Sequence, residues 1–330
     1  MTAEERKDVL EHLKRHRGKK KAYLKTLGIP ESTYYAWKRA YEKGGMPALE
    51  KKGSAPSRIW NRLTQTEIQT VLRVARAHPE LSSRLLSVKI TDEEAFSVSE
   101  PTVYRILKKN HLIAPRPLPE LPAAKSFHTK TTRINELWQM DATTFFVVNW
   151  GYYKHIPVLD DYSRKVLAWE LQPDESAGSI STVIEKAVEA TGIKHLPDEQ
   201  KPTLLSDNGP GFAATLLAAY LEHHNIRHIF GHPYHPQTQG KVERLHKRIK
   251  KNVCLLVYLN PQQLCVALAQ EMERYNETPH EALKNVSPND MYAGRQEEIL
   301  KRREEKKKLT LERRKRINLG LEPEVLTCVH

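Results

Sequence analysis

The spacing of apolar positions changes character three times along the chain. Val9, Leu10 and Leu13 recur at helical spacing within residues 4–16, and a second short helix follows over Lys20–Leu27. Gly28 suits the residue after a helix end, where a positive φ favours glycine. Ser32 or a neighbour is placed to cap a third helix that reads TYYAWKRAYEK. Three short helices with a glycine-containing turn before the last match the helix-turn-helix pattern. A plain three-helix bundle, with Tyr35, Trp37 and Tyr41 partly in its core, is the simpler alternative. The stretch from Gly44 to Arg58 is rich in Gly, Pro and Lys and reads as linker.

A second helical block runs from Leu63 to His111. Thr64 is set to cap a helix whose Ile68, Val71, Leu72 and Val74 line one side, and another helix is predicted over Ser82–Ile90. The block ends in an echo of the first: Glu31, Thr33 and Tyr35 match Glu100, Thr102 and Tyr104 at a constant offset of 69. Each set opens a basic third helix, so a second helix-turn-helix is predicted. The alternative is a block that only packs against the next domain. Ala114–Ala124 is Pro-rich and should be extended.

From Asn135 the period becomes two. ELWQMDATTFFVV, YYKHIPVLDDY and SRKVLAWELQ read as three successive strands, the first with Asp141 in its middle. A helix over Ser176–Thr191, a short buried strand ending at Asp207, a helix over Phe212–His224 and a strand over Ile226–Phe230 follow. A meander followed by alternating helix and strand predicts a mixed five-stranded α/β sheet with flanking helices, the order of a ribonuclease-H-like core. Beyond it, Thr238 is placed to cap a helix whose Val242, Leu245, Ile249 and Val253 face the core. Pro261–Asn276 should be helical and 277–293 irregular. The boundaries that result are a helix-turn-helix domain at 1–50, a linker at 51–62, a second such domain at 63–113 and a Pro-rich linker at 114–134. The core spans 135–293, and a basic arm spans 294–330.

Charge narrows the partners. Lys and Arg number 53 against 40 Asp and Glu, a net +13, and an excess of that size favours a polyanion through counterion release. Lys38 and Arg39 in the third helix, with Arg105, Lys108 and Lys109 in its echo, are expected at phosphates. Thr33, Tyr34 and Thr102 are expected near base edges. Lys125–Arg133 adds positive charge on the approach to the core. The three cysteines form no CxxC pair, which argues against a disulfide framework and a zinc module. No apolar run reaches the roughly 18 residues that span a bilayer, and the first residues lack a signal-peptide core. A cytoplasmic, nucleoid-associated protein is expected.

Three acids stand out. Asp141 interrupts an apolar strand, where burial without a partner is costly. Asp207 ends a strand, where ligands gather in open α/β sheets, although Asp-Asn-Gly is also a good turn. Glu243 shares a helix face with Lys247 and Lys250, distinct from the apolar face. A solvated Glu–Lys pair is its simpler reading. Carboxylates that converge are ligands for hard cations such as magnesium.

On these residues the chain resembles the DDE transposase and retroviral-integrase superfamily, above all bacterial insertion-sequence transposases with an integrase catalytic core. The Asp–Asp–35–Glu spacing is met by Asp207 and Glu243, with Asp141 as first acid. Asp-Asp-Tyr-Ser-Arg at 160–164, Ser-Asp-Asn-Gly at 206–209, His-Pro-Gln-Thr-Gln-Gly-Lys-Val-Glu-Arg at 235–244 and Pro-His-Glu-Ala-Leu at 279–283 add to the likeness, which covers about 135–293. The resemblance implies that Asp141, Asp207 and Glu243 are both catalytic residues and metal ligands, holding two Mg2+ or Mn2+ ions. It also implies that Lys241, Arg244, Lys247 and Lys250 contact DNA. The implied activity is metal-dependent strand cleavage and transfer of element ends into target DNA. The partners implied are double-stranded DNA and a homo-oligomer, dimer or tetramer, with the need for a helper protein left open and no membrane. A DNA-binding regulator or target-capture protein that has lost cutting is the alternative, and a plain ribonuclease-H-like nuclease a third.

The departures are local. No His/His/Cys/Cys zinc module is present, although His223, His224, His228, His232 and His235 cluster in sequence. Gly211 and Thr278 stand where the family often has a polar residue and an arginine. KRREEKKKLTLERRKR at 301–316 reads as a helical or partly disordered arm for DNA or a partner subunit.

Overall fold

The computed structural model describes residues 1–15, 20–50, 59–113, 131–231 and 240–323. The predicted linker segment 51–58, the Pro-rich segment 114–130, the histidine-rich stretch 232–239 with Thr238, and residues 324–330 lie outside the described residues. The chain divides into two units, 1–62 and 63–330.

In the first unit α1 (Ala3–Arg15), α2 (Lys20–Thr26) and α3 (Glu31–Leu49) surround Val9, Leu10, Leu13, Leu24, Ile29 and Tyr34. Gly28 turns the chain at φ +65°, and the Ile29 amide reaches back to the Leu24 carbonyl. The start of α3 differs from expectation: Pro30 precedes it without a side-chain cap, and Ser32 lies inside the helix. The expected linker also begins later, because α3 continues through a kink at Gly45 (φ 62°, ψ −150°) to Leu49.

The second unit opens with α4 (Gln65–Ala77), α5 (Ser83–Glu93) and α6 (Glu100–Lys109). Thr64 and Glu67 form a reciprocal capping box on α4, and Ser82 caps α5. The helices α3 and α6 begin at Glu31 and Glu100, the first members of the two echoing triplets. That shared start is the structural meaning of the repeat.

The sheet holds β1 (Leu137–Met140), β2 (Thr143–Val147), β3 (Gly151–Asp160), β4 (Val166–Gln172), β5 (Thr203–Ser206) and β6 (Arg227–Phe230). Its order is β2-β3-β1-β5-β6, with β4 on the other side of β3; β1, β5 and β6 are parallel and the remaining pairs antiparallel. Six strands replace the predicted five because the first breaks in two. Both halves keep one register on β3, Met140 opposite Val158 and Thr143 opposite His155. That register sets Asp141 opposite Pro157, a residue without an N–H, and the ladder is interrupted there.

One face of the sheet packs on α7 (Ala177–Thr191) and α8 (Thr215–His223) through Trp138, Met140, Ile156, Val158, Leu204 and Ile184. The other packs on α9 (Gly240–Val253) and α10 (Pro261–Glu277) through Phe145, Leu159, Val242, Leu245 and Leu268. The irregular segment after α10 includes a short helix, α11 (Pro288–Tyr292).

The basic arm is helical, α12 (Gln296–Asn318), and runs along the second helical block. Arg303 takes Asp92 through two N–H groups, at 2.7 and 2.5 Å. Lys306 donates to the carbonyls of Thr91 and Glu94. Glu67, 2% exposed, receives Arg313 at 2.9 Å and Arg314 at 2.8 Å. These cations, expected at DNA or a partner subunit, are therefore bound within the chain, while Lys301, Arg302, Lys307, Lys308 and Lys315 face solvent.

Candidate functional site

Asp141 leaves the sheet at the break between β1 and β2. Alternation along β1 sends Trp138 and Met140 into the α7–α8 core and Gln139 and Asp141 to the opposite face, toward α9. The start of α9 is pinned to that face. The Gln139 side-chain carbonyl accepts the Val242 amide at 3.3 Å, and Gln139 Nε2 donates to Asp161 at 2.7 Å. Lys241 donates to the Asp161 carbonyl at 3.2 Å and to its carboxylate. Glu243, in the first turn of the helix so fixed, lies within electrostatic range of Asp141. Partial burial, and then the neighbouring charge of Asp141, raise its carboxyl above the usual range, while His246 acts in the opposite direction.

Asp207 follows β5. The pairing of Gln139 with Leu205, continued by two residues, brings Asp207 level with Asp141 on the adjacent strand and on the same face. Its Oδ1 accepts the Gly209 amide at 3.0 Å, an Asx turn. Both readings of this residue are thus seen together: it ends a strand and it makes a turn. The charge of Asp141 is felt at Glu243, and Asp207 approaches through the sheet register. Among the described residues, no three His, Cys, Asp or Glu side chains close into a ready metal cluster.

Oxygen donors from three carboxylates suit a hard divalent cation. The like-charge repulsion between Asp141 and Glu243 is a cost that such a cation relieves. The residues present therefore fit the metal their pattern implies.

Sequence reading passed over two histidines at this site. His246, one turn after Glu243, is 7% exposed, and its Nε2 is 3.5 Å from Asp141 Oδ2. His155 on β3, wholly buried, meets the His246 ring edge-on at 6.4 Å and leans on Trp169 at 5.4 Å. Burial, helped by His246, pulls the His155 pKa down to about 3, so its ring is neutral. The helical period placed His246 beside the apolar face, and its spacing of three from Glu243 was the available signal.

The Asp-Asp-Tyr-Ser-Arg motif is the β3–β4 turn. Buried Asp160 accepts the amides of Asn135 and Ser163 and the Ser163 hydroxyl, and burial raises its pKa. Asp161 gathers Thr131, Gln139, Lys241 and Arg164. These two acids hold the scaffold. Gly211 also has a structural reason: a Cβ there would lie 1.9 Å from the Glu175 carbonyl oxygen, which leaves no room for a larger residue. Thr278 accepts the Arg248 guanidinium at 3.0 Å, so an arginine of α9 reaches the position from the other side.

Of the residues expected at DNA, Arg244, Lys247 and Lys250 are exposed on α9, beside Glu243. Lys241 is committed to Asp161. Lys38, Arg39, Arg105, Lys108 and Lys109 are exposed, and Thr33 and Thr102 half-buried at the starts of α3 and α6. Tyr34 is a correction. It is 4% exposed in the first unit's core, where it packs with Leu24 and Ile29, and Tyr35 at 43% is the exposed aromatic.

Family models described as Integrase core domain match residues 131–236 and 224–288, and one described as Homeodomain-like domain matches 33–107. The Gag-Pro-Pol polyprotein of Simian retrovirus SRV-2 is 29% identical over 216 residues, 63% of this chain and 11% of that protein. The Gag-Pro-Pol polyprotein of Mason-Pfizer monkey virus is 36% identical over 120 residues, 36% of this chain and 6% of that protein. The chain thus spans about a tenth or less of the length of these relatives. Among solved structures, the HTLV-2 integrase catalytic core domain in complex with magnesium aligns at 18% identity and a TM-score of 0.38, over 48% of this chain and 97% of that one. A match to homeodomain-like domains thus lies ahead of matches to integrase core domains that together span residues 131–288. No helix among the described residues is long and apolar enough to cross a membrane.

Proposed function

We propose that this chain is a DNA transposase that binds the ends of its element, cuts there, and joins the ends to target DNA in a reaction dependent on divalent metal. The observation that supports the reading is the sheet register that sets Asp207 level with Asp141 on the adjacent strand, with the first turn of α9 and Glu243 pinned over that face by Gln139. Asp141, Asp207 and Glu243 would hold magnesium or manganese, two ions if one carboxylate bridges. Bound metal of this kind lowers the pKa of the attacking water or 3′-hydroxyl and stabilises the leaving oxygen. The remaining work falls to the chain itself. Arg244, Lys247 and Lys250, exposed beside Glu243, neutralise phosphates and hold the scissile strand against the carboxylates. The basic helices α3 and α6 bind the element end, and two linked modules gain affinity through effective concentration. Joining two ends to one target calls for at least two copies of the chain on DNA.

The test uses the full chain with element-end DNA, a target plasmid and magnesium, followed by sequencing of junctions. Asp141→Asn, Asp207→Asn and Glu243→Gln proteins are expected to lose strand transfer and keep end binding in gel-shift assays. Transfer retained by Asp207→Asn would remove that residue from the set. Wild-type protein that binds ends tightly yet never yields junctions would favour a DNA-binding regulator instead.

A further inference from the structure

We propose that His246 is a positioning residue of the carboxylate site: its Nε2–H donates to Asp141 and holds that carboxylate in the orientation that a divalent cation requires. The inference rests on the carboxylate reading above and adds to it a residue that the acid motif does not contain.

The argument begins with what a buried imidazole costs. His246 is 7% exposed, and among the described residues neither ring nitrogen has a hydrogen-bond partner. A leucine would fill much the same volume on this helix without that penalty, as Leu245 does next door. An unsatisfied buried polar group costs about 1–3 kcal/mol, and native proteins rarely keep one without a reason. The ring is aimed at a reason. Its Nε2 stands 3.5 Å from Asp141 Oδ2, too long for a good hydrogen bond and within reach of a small side-chain rotation. Site hydrogen bonds are often long before the ligand is bound and tighten with it.

The surroundings restrict the ring to that direction. Among the described residues, the titratable groups close to it are Asp141 and Glu243 on the site side and His155 behind. The His155 ring meets it at an interplanar angle of 85° and is itself held against Trp169 and, edge-on, Phe145. His246 is thus braced from β3 and can turn toward Asp141 but not retreat from it. The helix does the rest. His246 lies three residues after Glu243, so one turn of α9 sets the distance between the second carboxylate and the donor to the first. Groups that orient metal-binding carboxylates from behind in this manner commonly change metal affinity by about 10–100-fold when removed.

The experiment measures binding of Mn2+ alone to the full-length protein, by the loss of the free-ion EPR signal. The variants are His246→Leu, which removes the donor, and His246→Gln, whose amide nitrogen lies near the Nε2 position. Leu is expected to weaken Mn2+ binding at least tenfold without lowering the unfolding temperature. Gln should recover most of the affinity, and strand transfer by the Leu variant should return toward wild type at saturating Mn2+. Equal Mn2+ affinity in the Leu and wild-type proteins would overturn the proposal and leave His246 a core residue. Nitrogen coupling to bound Mn2+ in pulsed EPR of the wild type would overturn it differently, by making the imidazole a direct ligand. Asp141→Asn is the control for the underlying reading. If it binds Mn2+ as tightly as wild type, Asp141 is not a ligand and both conclusions fall.

Discussion

At the scale of single residues, two positions carry consequences that can be measured. Gly211 is the most constrained, because a methyl group there would meet the Glu175 backbone 1.9 Å away and Ile180 at 2.9 Å. Gly211→Ala should destabilise the second unit by about 1–3 kcal/mol, the usual cost of overpacking, and lower its thermal midpoint by several degrees. A midpoint within about one degree of wild type would mean that the 175–211 contact yields freely. His155 makes a pH prediction. Its folded pKa, about 3, lies far below that of an exposed histidine near 6.5, so below 6.5 the unfolded chain takes up a proton that the folded one refuses. The stability it contributes is complete above about pH 6.5 and is lost as pH falls toward 3, at about 1.4 kcal/mol per pH unit. Urea titrations from pH 7 to pH 4 should show a shallower fall for His155→Phe than for wild type; identical slopes would refute the assignment. The acids were legible in sequence because Asp and Glu in apolar or strand-end positions are conspicuous. His155 and His246 were not, since a histidine at a core-facing position looks the same whether it fills space or faces a site. The choice between Tyr34 and Tyr35 was likewise hidden, because adjacent aromatics differ only in helix phase.

At the scale of elements, the decisive one is α12. Read along the chain it is a run of cations, and its solvent-facing half remains that. Its other half binds Glu67, Asp92 and the carbonyl groups that end α5. Glu67 therefore has two tasks, closing the capping box of α4 and neutralising Arg314, which is 5% exposed. Glu67→Ala should cost about 3–5 kcal/mol, because it strands a buried guanidinium. The paired change Glu67→Leu with Arg314→Leu should cost much less. Equilibrium denaturation of both proteins decides it; equal losses would mean that capping alone accounts for Glu67. The break between β1 and β2 is a second element-scale feature. The apolar pattern of ELWQMDATTFFVV gave no sign of it, since the interruption depends on Pro157 in a different strand.

At the scale of the molecule, α12 changes where the chain should be cut. Removing both helical blocks would also remove the partners of α12, whereas residues 63–330 form a unit with their own contacts. A protein lacking 1–62 should unfold cooperatively and give a shorter footprint on element ends, because one of two binding modules is gone. An unchanged footprint would show that α3 does not touch the end. The sequence by itself determined the local features: the helix cap at Thr64, a helix from near Ser82, the repeat that starts α3 and α6, and the order of strands and helices, and it singled out the three acids as candidates. Periodicity, capping and turn chemistry act over a few residues, so they can be read in one dimension. The tertiary structure alone decided the rest. Register across β1 and β5 brings Asp207 level with Asp141, Gln139 and Asp161 fix the first turn of α9, and α12 finds Glu67 some 250 residues away. Those contacts join residues distant in the chain, and only the energy of packing and of burying charge in pairs selects them.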